Sequence, residues 1–454
     1  MVTTLRALTH EGDLAALRAW LAEQRTLDLT DALARLDPQD RAMPFRLLSK
    51  DRALAVFEAL DPVHQQQLLE ALREERVREL VQSLAPDDQA RLLDEMPAAV
   101  ATRLQAGLPP QQRAATAVLL GYPAGSAGRI MTTEHTSVRA TMTVADALAK
   151  LRRRGRRPTR AQNLVLPVTD DERRLTGVVD LPDLVTADPA TPIADLVAAE
   201  TLWVRAEESQ ERAARLIQEA DLLALPVVDR EDRLVGMITV DDAMEVVEAE
   251  DTEDFSRAGG AEPLAQPYLS ASVFQLAGKR APWLLLLAVA FTLTVTVLQS
   301  FENALATVTM LAFFIPLLIG TGGNSGAQAA TLVVRAMAVG EVKLSDLTRI
   351  ILRETRVGLL LGTMLAAVGF PVVALLYSVP MGIVIALSLV AICTWASFVG
   401  GMLPLIAKRI GIDPAVVSTP LIATLVDATG LILYFLVAYA VMSDQLGGIT
   451  AAFG

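Results

Sequence analysis

The sequence STPLIATLVDATGLILYFLVA, residues 418–438, is apolar or small on both sides of Asp427. As an α-helix it is long enough to cross a bilayer, which takes about 20 residues. A charged carboxylate at the centre of such a helix costs about 3 kcal/mol on insertion scales. Charged residues inside membrane helices are typical of functional sites. Asp427 is therefore the first candidate for a functional residue in the chain.

The composition divides the chain into an acidic part and a membrane part. Of its 454 residues, 52% are hydrophobic, the mean hydropathy is +0.40 and the formal net charge is −12. Residues 281–454 contain seven acidic and seven basic residues, so the whole net charge lies in residues 1–280. This predicts an acidic soluble portion joined to a membrane domain. The acidity argues against nucleic acid as a partner, because phosphates need a basic surface.

Cysteine and histidine are too few for a soft-metal site. The chain has one cysteine, Cys393, in an apolar run, and three separated histidines, His10, His64 and His135. Zinc and copper sites need clustered thiolates or imidazoles, and a disulfide framework needs pairs of cysteines. Any bound metal is therefore expected to be a hard cation with oxygen ligands, such as Mg²⁺ or Ca²⁺.

Apolar segments long enough to cross a bilayer recur after residue 280. They are residues 282–300, 304–334, 356–378, 381–406 and 415–441. Lysine and arginine precede the first span and occupy the loops after the second and fourth spans, whereas the other loops have none. By the positive-inside rule, this places the N-terminus in the cytoplasm and the C-terminus outside the plasma membrane. The first residues lack the unbroken apolar run of a signal peptide, so the N-terminal portion is expected to stay in the cytosol.

The second span carries the sequence FFIPLLIGTGGNSGAQAATLVVRA, rich in glycine after Pro316. This pattern predicts an interrupted helix, whose freed backbone groups would be buried in protein or line a cavity. The alternative is close packing of helices through small residues. Asn324 and Gln328 favour the polar cavity.

The soluble portion contains two modules. Residues 1–129 have short helical patterns that begin at prolines, with leucines three and four residues apart, which predicts a helical superhelix. In residues 130–250, LPVTDDERRLTGVVDLPDLV (166–185) aligns with LPVVDREDRLVGMITVDDAM (225–244) at an offset of 59. Each copy is predicted to form a strand, a charged turn, a second strand and the start of a helix.

This repeat resembles a tandem CBS-domain pair, a regulatory α/β module. Thr239 and Asp242 of the second copy match the arrangement with which adenosine-binding CBS domains hold ribose, whereas the first copy has Asp180 in place of the threonine. The resemblance leaves ATP as a candidate ligand of the pair, with Thr239 and Asp242 as its nucleotide-binding residues.

The whole chain resembles the MgtE family of magnesium channels. The resemblance rests on PLLIGTGGNSGAQAATLVVRAMAVGEV and GIDPAVVSTPLIATLVDATG in the membrane part and on GYPAGSAGRIMTTE (121–134) before the CBS pair. It implies a multidomain fold: an all-α superhelical N-domain (1–129), an α/β CBS pair (130–250), an acidic linker with a connecting plug helix (251–281) and an all-α five-helix transmembrane domain (282–454).

The resemblance also implies a homodimer in the bilayer with a Mg²⁺ pore on its two-fold axis. Asp427 aligns with the pore carboxylate of the family, and two copies would match the double charge of a hydrated Mg²⁺ ion. The remaining residues of the predicted pore site are small or polar residues of the second and fifth spans. They are Gly322, Gly323, Asn324, Gln328, Pro420 and Ala423.

An acidic run around residues 245–254 precedes the linker to the first span. The resemblance implies that cytosolic Mg²⁺ bridges these and other acids and closes the pore, since bound Mg²⁺ would turn their mutual repulsion into attraction. The alternative is an ordinary solvated acidic helix. The predicted regulatory ligands are Asp87, Asp88, Glu211, Asp242, Glu250, Glu253, Asp254 and Asp413.

The plug helix is expected within residues 262–281 after Pro267, lying near the membrane surface with Lys279 and Arg280 at the headgroups. Two other functions stay open at this stage: a secondary transporter that works by alternating access, and a membrane-tethered nucleotide sensor without transport. No nucleophile–base set or P-loop points to an enzyme.

Overall fold

The computed structural model describes residues 1–11, 13–153, 164–198, 200–264, 268, 271–417 and 419–446. The chain forms two compact units, Met1–Glu250 and Asp251–Gly454. The first unit holds the predicted helical and CBS modules, and the second holds the predicted membrane helices.

The first unit begins with short helices of nine to eleven residues. Pro38, Pro62, Pro86 and Pro110 start every second helix from α4 onward, at intervals of 24 residues, so the helices form repeated pairs. Proline suits this position because its fixed φ fits a first turn and its missing N–H would have no partner there. The helices are α1 (Val2–Glu11), α2 (Leu14–Glu23), α3 (Thr26–Ala34), α4 (Pro38–Leu47), α5 (Lys50–Glu58), α6 (Pro62–Ala71), α7 (Glu74–Ser83), α8 (Pro86–Glu95), α9 (Ala98–Ala106) and α10 (Pro110–Leu120).

The remainder of the first unit is an α/β module with two three-stranded sheets, ordered β1-β2-β3 and β4-β5-β6. In each sheet the first pair of strands is parallel and the second pair is antiparallel. Its elements are α11 (Ala127–Ile130), β1 (Val138–Arg139), α12 (Val144–Arg153), β2 (Val165–Thr169), β3 (Leu175–Asp180), α13 (Leu181–Thr186), β4 (Val204–Arg205), α14 (Gln210–Glu219), β5 (Ala224–Val228), β6 (Leu234–Thr239) and the first part of α15 (Val240–Ala258), which continues past Glu250 into the second unit.

The internal repeat predicted from the sequence is confirmed by the strand register. Leu166 pairs with Val179 in the first sheet, and Leu225 pairs with Ile238 in the second, so each pair is displaced by 59 residues. Both hairpins carry a register irregularity at the same relative position. The two copies therefore fold alike, as a CBS pair requires.

The second unit contains helices long and apolar enough to cross a membrane. Among the described residues there are five, which agrees with the predicted number. Of these, α20 is the most buried and packs against three of its neighbours, whereas α16 is the most exposed. The helices are α16 (Val273–Ser300), α17 (Glu302–Thr307), α18 (Met310–Ala338), α19 (Leu347–Leu376), α20 (Val379–Arg409), α21 (Thr419–Val441) and α22 (Ser443–Leu446).

The prediction of an interrupted second span is wrong, because α18 continues through Pro316 and the glycines that follow it. In hydrocarbon no water replaces a lost backbone hydrogen bond, so a glycine-rich segment keeps its helical bonds there. The glycines instead let neighbouring helices approach. A Cβ atom at Gly400 of α20 would lie 2.2 Å from the carbonyl oxygen of Gly326 in α18, which leaves room for glycine only.

The expected plug helix is not separate from the first span in this structure. Residues 273–281 form the beginning of α16, which starts at a capping box between Ser272 and Gln275 and runs to Ser300. Neither Gly278 nor Pro282 ends the helix. Residues 265–267, 269 and 270, where the predicted helix would begin, lie outside the described residues.

The C-terminal end of α16 is joined to α21 by aromatic packing. Phe301, which ends α16, stacks on Phe435 of α21 with 4.5 Å between ring centroids and 15° between ring planes. Such pairs contribute about 1 kcal/mol beyond the burial of their area.

Candidate functional site

Asp427 lies in the third turn of α21, where its carboxylate is partly exposed. The side chain is next to α18: a Cβ atom at Gly323 would lie 3.5 Å from Oδ1 of Asp427 and 3.4 Å from Cβ of Ala423. Within the described part of the chain, no side chain forms a hydrogen bond or ion pair with this carboxylate. Desolvation without a partner is unfavourable for a charge, so the carboxylate is suited to meet a cation from outside the chain.

The polar residues of α18 that were predicted to line the pore are exposed. Asn324 and Gln328 are one helical turn apart on the outer face of this membrane helix, whereas Gly322 is buried, and a Cβ atom there would lie 2.6 Å from Ile392. The hydroxyl of Thr424 donates a hydrogen bond to the carbonyl oxygen of Pro420, 2.9 Å away. An exposed amide pair is costly against lipid, so this face is expected to meet water or another protein surface.

Two of the predicted regulatory acids share one arginine. Arg257, near the end of α15, donates from Nη1 to Oδ2 of Asp413 at 2.7 Å and pairs through Nη2 with Glu253. Burial by itself would lower the pKa of Arg257, but the Asp413 hydrogen bond and the charges of Glu253, Asp413 and Glu262 raise it above its ordinary value. The arginine therefore stays charged and neutralises part of this acidic set.

A second acidic set joins α8 to the start of α15 within the first unit. Asp88 is buried in the first turn of α8, and its Oδ1 lies 3.1 Å from Nη2 of Arg91. Arg91 also pairs with Glu245 of α15. Asp242, in the first turn of α15, accepts a hydrogen bond of 2.6 Å from Thr239. Asp87, beside Asp88, is equally buried.

The other predicted ligands are placed separately. Glu211 pairs with Arg215 at 2.8 Å in α14, and Glu250 accepts a long hydrogen bond of 3.4 Å from Gln210. Asp254 is partly buried on α15 next to Glu253. Among the described residues, no three Asp, Glu, His or Cys side chains are grouped so that they could hold a metal ion. The predicted regulatory ligands are thus oxygen donors of the right kind without a preformed cage.

Sequence reasoning missed Arg91 and Arg257. One partner of each arginine could have been predicted from spacing. Arg91 follows Asp88 by three residues and Arg257 follows Glu253 by four, which are the spacings of ion pairs on a helix. The second partner of each arginine, Glu245 or Asp413, comes from a distant segment that spacing cannot identify.

Among the predicted regulatory acids, Asp242 has a carboxyl group with a clearly shifted pKa. Burial raises the pKa of its carboxyl to about 6 against the lowering effect of the Thr239 hydrogen bond, and the negative charges of Asp241 and Asp88 act in the same direction as burial. A bound cation would reverse this unfavourable ionisation, which fits the predicted role of Asp242 as a ligand.

The raised pKa predicts a pH dependence of stability when divalent ions are removed. Because the folded pKa of about 6 exceeds the ordinary value of 3.8, the stabilisation from Asp242 is full below the lower value and is lost as the pH rises through the upper one. From about pH 5 to about pH 7.5, wild type should lose roughly 1.4 kcal/mol of unfolding free energy relative to Asp242→Asn. Pulse proteolysis of the full chain in urea with EDTA measures this difference. The control is Asp195→Asn, which removes an exposed acid, and its stability should vary with pH as that of wild type does. Equal pH dependence of stability in Asp242→Asn and wild type would contradict the prediction.

Comparison with protein-family models gives three matches. The model described as the MgtE divalent cation transporter matches residues 315–437, the MgtE intracellular N domain matches residues 24–125, and the CBS domain matches residues 127–190 and 193–249.

Individual relatives agree with these models. The chain is 41% identical to the magnesium transporter MgtE of Thermus thermophilus, over 96% of this chain and 98% of the relative. It is 35% identical to the magnesium transporter MgtE of Enterococcus faecalis, over 70% of each chain. Among solved structures, the cytosolic domain of the Mg²⁺ channel MgtE in complex with ATP is similar, with a TM-score of 0.51, 37% identity and coverage of 54% of this chain and 100% of that one.

Proposed function

The chain belongs to the MgtE family of magnesium transporters and is a multi-pass membrane protein, and we propose that it conducts Mg²⁺ into the cytoplasm as a channel that cytosolic Mg²⁺ closes. The observation that carries the proposal is the carboxylate of Asp427. It has no partner among the described residues, although it lies inside a membrane helix. Transport of Mg²⁺ itself follows from the family; the channel mechanism and the gating are the proposal.

Permeation would use the ion with its waters. Mg²⁺ binds its water ligands tightly in octahedral geometry and loses them reluctantly. A pathway that forms hydrogen bonds to the hydrated ion avoids the cost of removing that water. Asp427 supplies charge, and the exposed amides of Asn324 and Gln328 supply hydrogen bonds to water. A homodimer with these faces opposed would give two carboxylates for one divalent ion. It would also cover the polar surface that lipid cannot solvate.

The basic residues in the loops support the proposed orientation in the membrane. Lys279 and Arg280 lie near the start of α16, and Lys408 and Arg409 at the end of α20, with no bases in the loops on the other side. The positive-inside rule therefore favours a cytoplasmic N-terminus and an extracytoplasmic C-terminus.

Closure would use the acids of α15 and their neighbours. Carboxylate oxygens are the ligands that Mg²⁺ prefers. Asp242 and Glu253 lie on α15, Asp88 lies on α8, and Asp413 lies between α20 and α21. If Mg²⁺ binds these acids more tightly in the closed arrangement, its rise in the cytosol shifts the population towards closure.

ATP is a second proposed ligand of the cytosolic unit. It is bound in the solved MgtE cytosolic domain that this chain resembles. Thr239 and Asp242 lie where the second sheet meets α15, with the threonine hydroxyl donating to the carboxylate. Asp180 takes the place of the threonine in the first copy, so we assign the nucleotide to the second copy.

The experiment that tests the proposal is Mg²⁺ flux through the intact chain in proteoliposomes, followed by unitary currents in planar bilayers. A channel should pass more than about a million ions per second, because a carrier is limited by conformational steps of microseconds to milliseconds. The flux should fall as Mg²⁺ on the cytoplasmic side rises. Saturable flux without resolvable unitary currents would favour the alternative, a divalent-cation carrier working by alternating access. Lack of Mg²⁺ flux would contradict both.

A further inference from the structure

Each of the two acidic sets includes an arginine that pairs with its carboxylates. In the second unit, the guanidinium of Arg257 lies between Glu253 on its own helix and Asp413, in the segment before α21. All three side chains are about one-third exposed. An ion can therefore reach them from water.

The first unit repeats this arrangement with different elements. The guanidinium of Arg91 on α8 lies between Asp88 of the same helix and Glu245 of α15. In both cases the arginine is one helical turn from its first acid and reaches across to a second acid from another segment. The pattern thus occurs twice, in separate units, at acids that the proposed function assigns to Mg²⁺ or that lie beside them.

A guanidinium and Mg²⁺ compete for the same oxygens. Charge-assisted N–H···O bonds neutralise the carboxylates and hold their lone pairs, so the acids attract a second cation less strongly. A Mg²⁺ ion beside the guanidinium would also be repelled by a like charge, by about 4 kcal/mol at 4 Å per unit charge with an effective dielectric of 20. Binding of Mg²⁺ to these acids therefore requires the arginine to leave.

We propose that Arg257, and Arg91 in the same manner, is a tethered counter-ion that competes with regulatory Mg²⁺ and sets the concentration at which the ion binds. This inference rests on the proposed function, in which Mg²⁺ binds the acidic sets. In this role the arginine holds the two segments together by itself at low Mg²⁺ and raises the threshold for the ion without being one of its ligands.

The test measures Mg²⁺ binding rather than transport. Hydrogen–deuterium exchange of residues 245–258 is followed in the full-length protein in detergent over a Mg²⁺ titration. For Arg257→Gln, which removes the competing charge, we expect half-maximal protection at about one-fifth of the wild-type Mg²⁺ concentration, since an exposed pair contributes up to about 1 kcal/mol. Arg257→Lys keeps the charge and loses the planar fork, so its midpoint should lie between those of Arg257→Gln and wild type.

The matched control is Arg35→Gln. Arg35 also pairs with an acid one helical turn away, Asp31, on an exposed surface of α3, and its loss changes the net charge equally. Its midpoint should equal that of wild type. Arg91→Gln provides a second test, with exchange of residues 240–247 as the readout and a lower midpoint expected.

The outcomes separate the two proposals. Wild type without Mg²⁺-dependent protection contradicts sensing by these acids, and with it the proposed gating. If wild type responds and Arg257→Gln has an equal or higher midpoint, the arginine is a structural clamp and the counter-ion inference is wrong. A lower midpoint in both Arg257→Gln and Arg35→Gln would assign the effect to net charge and would also overturn the inference.

Discussion

We expect Asp427→Asn to reduce Mg²⁺ flux to about one-hundredth of the wild-type rate or less, which corresponds to roughly 2.7 kcal/mol of lost stabilisation of the ion in transit. The amide has nearly the same shape, so α21 should pack as before against Gly323 and its neighbours. The substitution removes the negative charge that offsets the partial desolvation of a divalent ion. The loss should be large because charges inside a membrane have large energetic effects. Flux of Mg²⁺ into proteoliposomes with a trapped indicator dye measures the effect.

A matched control removes the same charge elsewhere. Asp444 lies in α22 beyond the last span and is exposed, so Asp444→Asn should keep wild-type flux. Asp427→Glu, which retains the charge on a longer stem, should conduct better than Asp427→Asn. Selective Mg²⁺ flux of wild-type size in Asp427→Asn would contradict the assignment of the pore carboxylate.

The second large effect concerns closure. Without residues 1–250, we expect flux to vary by less than about twofold over a range of cytoplasmic Mg²⁺ that changes wild-type flux by at least about tenfold. A ligand can shift an equilibrium only by its unequal affinity for the two states, and the deletion removes Asp88, Asp242 and Glu250. Excised patches with the cytoplasmic face perfused measure the response directly.

Two variants protect this test against a damaged protein. The deletion combined with Asp427→Asn should be silent, which shows that the residual flux uses the same pathway. In the full-length chain, the pair Glu253→Gln and Asp413→Asn should weaken closure without removing the cytosolic unit. Closure by Mg²⁺ that survives the deletion unchanged would disprove the sensor.

Much of the architecture could be predicted because its signals are local and repeated. Apolar length alone identifies the membrane helices, and the offset of 59 residues identifies the paired sheets. The continuity of α18 could not be predicted in the same way. Glycine and proline weaken a helix in water, yet in hydrocarbon the backbone has no other partner. The sequence alone does not show whether each residue of this segment faces hydrocarbon or water.

The candidate site was predictable in its residue types and not in its pairings. Asp427 is conspicuous because an acid in an apolar helix is rare. The roles of Arg91 and Arg257 depend on which distant acid each one meets, and that is set by tertiary packing. An acidic run in the sequence predicts a metal site, whereas the spacing of an arginine beside it predicts only an ordinary ion pair on a helix.

The unbroken course of α16 has a mechanical consequence. Its 28 residues make a rod of about 42 Å at 1.5 Å per residue, longer than the ~30 Å apolar layer it crosses. Bending is easiest at Pro282, in the third turn of the helix and close to its N-terminal end. A sideways pull on that end would tilt the rest of the helix once the bend at Pro282 has been taken up. The far tip would then press through Phe301 and Phe435 on α21, the same helix that carries Asp427 two turns away.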